Sequence, residues 1–384
     1  MKRILFVTNG HGEQAIANRI ARELDGIGQF ELDHLSLVGD HLVESGPLHA
    51  VGPRQTLPSG GLLAMGNIRN LMRDLRGGLL GHTMAQLRFL KRVKGRYDLA
   101  VAVGDVFAYG MARRAAASKT AFVGTAKSIY VARYGRFEAR LLRAADAIFV
   151  RDEPTARDLR ARGIDALAPG NVIVDLFEEM SDEAVPALTG KRLAIFPGSR
   201  ESAYADAIFA CAIVGAVSAS IPTIEASLSI APGLDTTRFA QVLRDDGWDV
   251  TPMSEPSVPF TLKLRGRSFI TAWTGSLGAM LTDALVVLGQ AGTANEAAAA
   301  RGIPVAAFER TSASATAWYR QRQRGLLDGA LTMLRGSVDE AADQLTALLF
   351  NEERRRQMGA IGRERMGAPG GAHAIALRLS EIAQ

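Results

Sequence analysis

Short apolar runs rich in β-branched residues alternate along the chain with stretches of helical periodicity, the pattern of parallel sheets joined by crossover helices. The first series of runs covers 3–8 (RILFVT), 31–37, 98–103, 120–123 and 146–150. After the first run, Ile16, Ile20 and Leu24 recur every four residues and so share one helical face. A second series covers 192–197, 223–231, 267–273, 284–289 and 304–308. Between the two lies MSDEAVPALTGK (180–191), polar and broken by proline, which reads as a linker. The chain closes with two helical stretches split by Gly and Pro at 367–371. The pattern predicts an α/β protein of two doubly wound, Rossmann-like domains facing an interdomain cleft. The expected boundaries are 1–180, a linker at 181–191, a second domain at 192–366, and a last helix at 367–384 packing back on the first domain.

Composition narrows the function classes. At 384 residues, 47% hydrophobic and 22% charged, the chain has the balance of a folded protein with two full cores. Its net charge of +5 suits a phosphorylated ligand or an anionic surface. Aromatic residues, at 6%, are too sparse for a base-stacking surface, so nucleic acid is not an expected partner. One cysteine, Cys211, excludes an intramolecular disulfide and any cysteine-rich metal site, and its apolar surroundings predict a buried thiol. The apolar stretch ILFV near the start is too short for a signal peptide. No run of about 18 apolar residues is expected to cross a bilayer. These readings predict a cytoplasmic location.

Ligands of doubly wound sheets bind beyond the carboxyl ends of the strands, so chemistry is sought in the strand-end loops. The first, TNGHGEQAIA (8–17), places Gly10, Gly12 and Glu13 at a strand-to-helix turn where backbone can approach an anion. It also fits G-x-G-x-x-A, a weak dinucleotide signal. His11 in that loop is either a general base or a histidine turned to solvent. In AVGDVFAYG (102–110), Asp105 is either a helix N-cap or a carboxylate that orients His11 or takes a proton from a hydroxyl. Thr125, Lys127 and Ser128 in VGTAKSIY (123–130) are suited to a phosphate or a sugar, and Lys127 has a solvated surface lysine as its plainer reading.

Two loops in the second half speak more clearly. In IFPGSRES (195–202), Pro197 and Gly198 turn the chain and Ser199 and Arg200 present a hydroxyl and a guanidinium ahead of a helix. Backbone N–H groups, helix dipole and arginine fork together suit a diphosphate. In GQAGTANEAAAARGIPV (289–305), Gly289 and Gly292 free the turn, Thr293 and Asn295 stand at a helix start, and Glu296 lies in its first turn. A carboxylate beside an anion site can accept the ribose hydroxyls of a nucleotide; its plainer role is to favour the helix dipole.

These two loops resemble the donor-binding loops of lipid A disaccharide synthase, a GT-B glycosyltransferase that uses a UDP-acylated glucosamine. PGSR and AGTANEAAAARGIPV carry the likeness, which covers the C-terminal half best. The N-terminal half, with NGHGE, LPSGGL, AVGDV, VGTAKS and FVRDEPTARDLRARG, is similar to the lipid-A-disaccharide-synthase-related family. The resemblance implies that Ser199, Arg200, Gly292, Thr293, Asn295 and Glu296 hold the nucleoside diphosphate of a UDP-sugar. It also implies that Asp105 stands near the aspartate proposed to act in that enzyme. The first loop departs from the family: NGHGEQ replaces a GEASGD-like segment and introduces His11. GT-B enzymes generally need no metal on protein carboxylates, and the chain has neither a D-x-D motif nor a His/Glu cluster at ligand spacing. The expected reaction is therefore metal- and cofactor-free transfer of an N-acetylglucosamine-type sugar to a lipid or lipid-linked acceptor, with His11 or Asp105 as base.

Residues 57–96 add a possible membrane contact to that expectation. They hold Arg69, Arg73, Arg76, Arg88, Lys91, Arg92, Lys94 and Arg96 against Asp74 alone. Ile68, Leu71, Met72, Leu75 and Leu79 form a stripe at helical spacing, and Leu62, Leu63 and Met65 follow the pair Gly60–Gly61. A basic amphipathic helix can lie on the anionic inner face of the cytoplasmic membrane, and the plainer reading is a core-facing helix with a solvated back. Alternatives to transfer are a sugar-nucleotide 2-epimerase, a pyruvyl transferase (suggested by FVRDEPTARDL), and a nucleotide-sugar-binding protein without turnover. An NAD-dependent enzyme ranks last, since it leaves PGSR and AGTANE without a role.

Overall fold

In the first apolar run, Ile4, Leu5, Phe6 and Val7 are all fully buried, as a strand covered on both faces of a parallel sheet must be. The computed structural model describes residues 1–39, 46–55, 75–177, 191–264, 268–309 and 314–384. The chain divides into two compact units, the first formed by Met1–Leu176 with Ala368–Gln384 and the second by Phe177–Gly367. The sequence-predicted linker at 181–191 lies outside the described residues, except Lys191, which opens a strand.

The first unit is a seven-stranded sheet in the order β3-β2-β1-β4-β5-β6-β7. Its strands are β1 (Lys2–Thr8), β2 (Phe30–Ser36), β3 (His49–Ala50), β4 (Leu99–Gly104), β5 (Lys119–Gly124), β6 (Ala147–Val150) and β7 (Ala166–Leu167). All pairings are parallel. The register sets Thr8 against Val103 and Gly104 against Gly124, so the loops after β1, β4 and β5 leave from one edge of the sheet. The helix His11–Ile27 buries Ile16, Ile20 and Leu24 against it. Phe122 sits between Tyr109 and Tyr134 in edge-on contacts, with ring centroids 5.8 and 6.2 Å away. The last helix, Gly371–Ala383, packs on His11–Ile27. Its first turn is held by Asp175, whose carboxylate, 1% exposed, accepts the N–H groups of Gly370 and Ala372, each at 2.6 Å.

The second unit is an eight-stranded sheet in the order β10-β11-β12-β9-β8-β13-β14-β15. Its strands are β8 (Lys191–Phe196), β9 (Ile224–Ser229), β10 (Asp249–Pro252), β11 (Phe260–Leu264), β12 (Ser268–Trp273), β13 (Ala284–Gly289), β14 (Val305–Phe308) and β15 (Leu331–Leu334). Only the pairs β10–β11 and β11–β12 are antiparallel. This antiparallel edge is not foreseen from the sequence. β10 buries Val250 alone and ends in a proline, which an edge strand tolerates, so it carries no apolar run to read. Both sheets are rich in parallel strands and carry helices in the crossovers, the α/β class that the alternation predicts.

One expectation needs correction. The helix Ala203–Ser220 does have the length and hydropathy of a membrane span, with a mean hydropathy of 1.6. It is a core helix of the second unit: Ala207, Ala210, Cys211, Ile213, Val214 and Val217 are buried beneath the sheet. Burial also pushes the Cys211 thiol well above its ordinary pKa, which leaves it an inert packing residue.

Candidate functional site

Two clusters of strand-end loops are the candidates, one in each unit. In the first unit, the strand order reverses direction between β1 and β4, the switch point at which doubly wound sheets open a crevice. Gly104 ends β4 with φ +134°, and a side chain there would come within 2.7 Å of Asn9 Oδ1. The β1 and β4 loops therefore touch. Gly10 caps His11–Ile27 and a side chain on it would collide with the Glu13 carboxylate, so Gly10 and Glu13 are stacked together, while Gly12 is exposed and unobstructed. His11 is the first residue of the helix; its ring lies outside the described residues.

Asp105 follows as the N-cap of the helix Val106–Ala112. Its Oδ1 accepts the N–H groups of Phe107 and Ala108, both at 3.0 Å. The plainer sequence reading is thus realised, and the other carboxylate oxygen, Oδ2, accepts no hydrogen bond from the described residues. The β5 loop is continuous with this one, since the Thr125 N–H donates to Gly104 O. Thr125 Oγ1 is buried and has no partner among the described residues.

Lys127 and Ser128 depart from expectation. The Lys127 ammonium is neither a solvated surface charge nor an unengaged phosphate ligand: it pairs with Glu138 at 2.6 Å and lies over the Tyr134 ring. Ser128 is 2% exposed, and its hydroxyl accepts the Tyr130 N–H, which closes a local turn rather than facing a ligand. Tyr134, absent from the sequence-derived candidates, is the unexpected member. Its hydroxyl is buried without a partner among the described residues, and it lies directly over Gly124. Burial, with the carboxylates of Glu138, Asp152 and Asp105 around it, pushes this phenol well above its ordinary pKa, so it is a neutral donor. Exposed aromatic rings, Phe107 and Phe137, begin the two neighbouring helices.

Below this edge, His34 is a second residue that the sequence does not flag. Its Nε2 lies 2.9 Å from Thr8 Oγ1, and an Arg54 guanidinium nitrogen stands 3.4 Å from Nδ1. An arginine can only donate, so Nδ1 accepts and Nε2 carries the proton. Burial, reinforced by the charge of Arg54, lowers the His34 pKa to about 4.

In the second unit the switch point falls between β8 and β13, and the Gln290 N–H donates to Phe196 O at 2.8 Å, which joins their loops. Gly198 turns the β8 loop with φ +116°, a conformation that favours glycine. Ser199 and Arg200 beyond it are exposed, and the following helix starts at Ala203. Glu201 is bound to Arg238, which itself stacks 4.0 Å from the Tyr204 ring centroid, and these fix the loop's far side.

The β13 loop runs into the helix Thr293–Ala300, capped by Gly292 without any side-chain bond, so the first N–H groups of that helix are not closed by a capping side chain. Thr293 is exposed and Glu296 half-buried, one turn apart on the outward face. Asn295 faces the other way and is corrected here: at 0% exposed it holds the turn from inside and cannot touch a ligand. Its Nδ2 donates to Gly289 O at 3.1 Å and to Gln323 Oε1 at 3.3 Å. Gln323 in turn donates to the carbonyls of Ala291 and Gly292. Gln323 is 28 residues away from Asn295, and nothing in the sequence marks it. Among the described residues no group of three or more His, Cys, Asp or Glu side chains gathers to hold a metal.

No family model and no curated relative matches the sequence. Solved structures do. The glycotransferase of kitacinnamycin is similar with a TM-score of 0.65 at 15% identity, over 100% of this chain and 99% of that one. The UDP-GlcNAc 2-epimerase from Neisseria meningitidis, solved with UDP-GlcNAc, gives a TM-score of 0.54 at 14% identity, over 99% and 100%. MurG from Acinetobacter baumannii gives 0.54 at 13% identity, over 99% and 100%. At these identities the likeness is one of fold, and the fold is GT-B-like.

Proposed function

We propose that the protein is a GT-B glycosyltransferase that moves an N-acetylglucosamine-type sugar from a UDP donor to a hydroxyl of a lipid or lipid-linked acceptor. The observation that carries this reading is the paired β8 and β13 loops of the second unit. They combine an exposed hydroxyl and guanidinium, at Ser199 and Arg200, with a helix N-terminus whose outward face holds Thr293 and Glu296. That set suits a nucleoside diphosphate: N–H groups and Arg200 for the phosphates, Glu296 for ribose hydroxyls. The solved structures of similar fold add support, since one holds UDP-GlcNAc and another is a glycotransferase.

In the transfer, an acceptor hydroxyl attacks the anomeric carbon as the bond to the UDP oxygen breaks. UDP departs with the electron pair, its charge met by Arg200 and helix N–H groups. The acceptor proton passes to Asp105 Oδ2 or to His11. Thr125 and Tyr134 offer neutral hydroxyls beside that carboxylate, and Phe107 and Phe137 offer apolar surface for an acceptor. The kinship proposed for this chain is with the lipid-A-disaccharide-synthase-related family, on the N-terminal motifs NGHGE, LPSGGL, AVGDV, VGTAKS and FVRDEPTARDLRARG, with PGSR and AGTANE as the likeness to lipid A disaccharide synthase itself.

Membrane contact is part of the same proposal. Much of the basic stretch, 56–74, lies outside the described residues. The helix Leu79–Arg92 supports it, because Leu80, Met84, Arg88 and Arg92 follow one another at four-residue intervals, all exposed. Flotation with vesicles of phosphatidylglycerol, but not phosphatidylcholine, is the expected result, and equal behaviour with both removes this part.

A sugar-nucleotide 2-epimerase is the second reading, favoured by the epimerases of similar fold. Incubation with UDP-GlcNAc alone separates the two. An epimerase converts it without acceptor, whereas a transferase releases UDP only when membrane lipid extract is added. Donor binding with neither outcome points to a binding protein without turnover.

A further inference from the structure

The second unit carries a second concave surface at the opposite edge of its sheet, an open groove of about 280 Å³. Ala284 and Leu285, which begin β13, and Ile303 and Pro304, which lead into β14, supply an apolar floor. The strand-end loops proposed for the donor leave from Gly289, five residues along β13, about 17 Å away at a strand's rise per residue. The two surfaces are therefore distinct.

Its wall is the helix Glu352–Met366, which turns three arginines to the groove: Arg355, Arg356 and Arg363. Glu352 is the one acid among the residues lining it. Two of the guanidiniums are fixed in advance. Arg355 donates to the carbonyls of Leu348 and Leu349 at the end of the preceding helix, and so stands in one place. Arg363 reaches Arg301 O at 3.5 Å and lies flat against Gly302, where any side chain would collide with it. The helix can come this close because Gly359 and Gly362 rest on the backbone of Gly302 and Ala299. Arg356 is more exposed and pairs with Glu352 at 2.6 Å. Asp283, just before the floor, is already engaged by Arg192 at 3.1 Å.

Each guanidinium has five N–H donors, and the contacts above use at most two of them. Three like charges around one hollow, answered by one carboxylate, repel one another, and a bound anion relieves that repulsion. Arg355 and Arg363 are eight residues apart, about 12 Å along the helix, more than one phosphate spans without side-chain convergence.

We propose that this groove binds a phosphate-bearing ligand with an apolar body, the phosphate on the arginines and the apolar part on the floor from Ala284 to Pro304. Such a group can come from a lipid headgroup or from a soluble phosphorylated molecule. Titration calorimetry with inorganic pyrophosphate and with dihexanoyl phosphatidate below its micellar concentration tests the site. The double variant Arg356→Ala/Arg363→Ala spares Arg355, which closes a helix, and an unchanged melting temperature shows that it folds. With the strand-end loops disabled by Arg200→Ala, phosphatidate is expected to bind at least tenfold more tightly than pyrophosphate, and the double variant added to that background to lose at least tenfold for both. Binding that survives the double variant but falls in Arg200→Ala places the anion on the strand-end loops and overturns the proposal. No binding to the wild-type protein overturns it as well, and equal affinity for the two probes removes the apolar part. Where binding holds, flotation on phosphatidate vesicles that the double variant loses identifies a membrane headgroup as the source. Binding without flotation identifies a soluble ligand.

Discussion

The strand-end loops of the two units use similar residue types in opposite ways. In the first unit the polar groups are turned inward: Asp105 caps a helix, Lys127 holds Glu138, Ser128 closes a turn, and the Tyr134 hydroxyl is buried. In the second unit, Ser199, Arg200 and Thr293 face solvent, and the buried amides, Asn295 and Gln323, only brace the turn behind them. An exposed arginine costs little to keep and can meet a highly charged diphosphate in water. A buried, neutral hydroxyl suits a group whose proton must move in a controlled setting. Under the proposed transfer, the contrast corresponds to a division of labour in which the second unit would hold the charged donor and the first the uncharged acceptor.

The comparison breaks first on stability, where the buried polar groups of the first unit should dominate. Asp175→Ala leaves the Gly370 and Ala372 N–H groups unmet and should destabilise the first unit by about 4 kcal/mol, read as a lowered melting temperature. His34 comes next. Its folded pKa of about 4 lies below the 6.5 of an unfolded histidine, so as pH falls the unfolded chain takes up the proton first. The contribution is complete above pH 6.5 and is lost between 6.5 and about 4, a change of about 3 kcal/mol. Hydrogen exchange across that range should open β1 and β2 before the strands of the second unit, and His34→Gln should flatten the difference.

Arg200→Ala inverts the pattern. It should leave melting unchanged and weaken UDP binding about fiftyfold, or about 2.3 kcal/mol, as expected for a lost charge-assisted pair. A stability loss with intact UDP binding would show that the second unit also spends its loop arginine on the fold. The smallest effect separates the two roles of Asp105. Asp105→Ala should cost about 1 kcal/mol as a lost cap, while Asp105→Asn, which caps equally well, should keep that stability and still lower turnover. Full turnover in Asp105→Asn would leave His11 as the base.

The parallel strands are legible in the sequence because a stretch buried on both faces must be apolar, as Ile4–Val7 of β1 and all of β4 are. The loops between them are legible because glycine is required where backbone turns with positive φ, as at Gly104 and Gly198. What escapes notice depends on three-dimensional neighbours. Lys127 looks like a surface charge until Glu138, eleven residues on, is seen beside it. Asn295 and Glu296 look equivalent at a helix start, yet adjacent residues on a helix point about 100° apart, and one goes to the core. His34 sits in the strand segment ELDHLS, where polar residues outnumber apolar ones, and only its buried contact with Thr8 reveals it. β10 escapes because an edge strand needs little apolar surface of its own.

The grip of Asp175 on Gly370 and Ala372 also has a consequence in time. The first unit is made of the chain's beginning and its last 17 residues, Ala368–Gln384. During synthesis the second unit is translated in full before those residues emerge. A ribosome-bound first unit therefore carries an open flank along His11–Ile27, where the last helix is to dock. The flank of His11–Ile27 is thus made well before the helix that covers it, and stalling translation ahead of Ala368 should leave that flank to a chaperone.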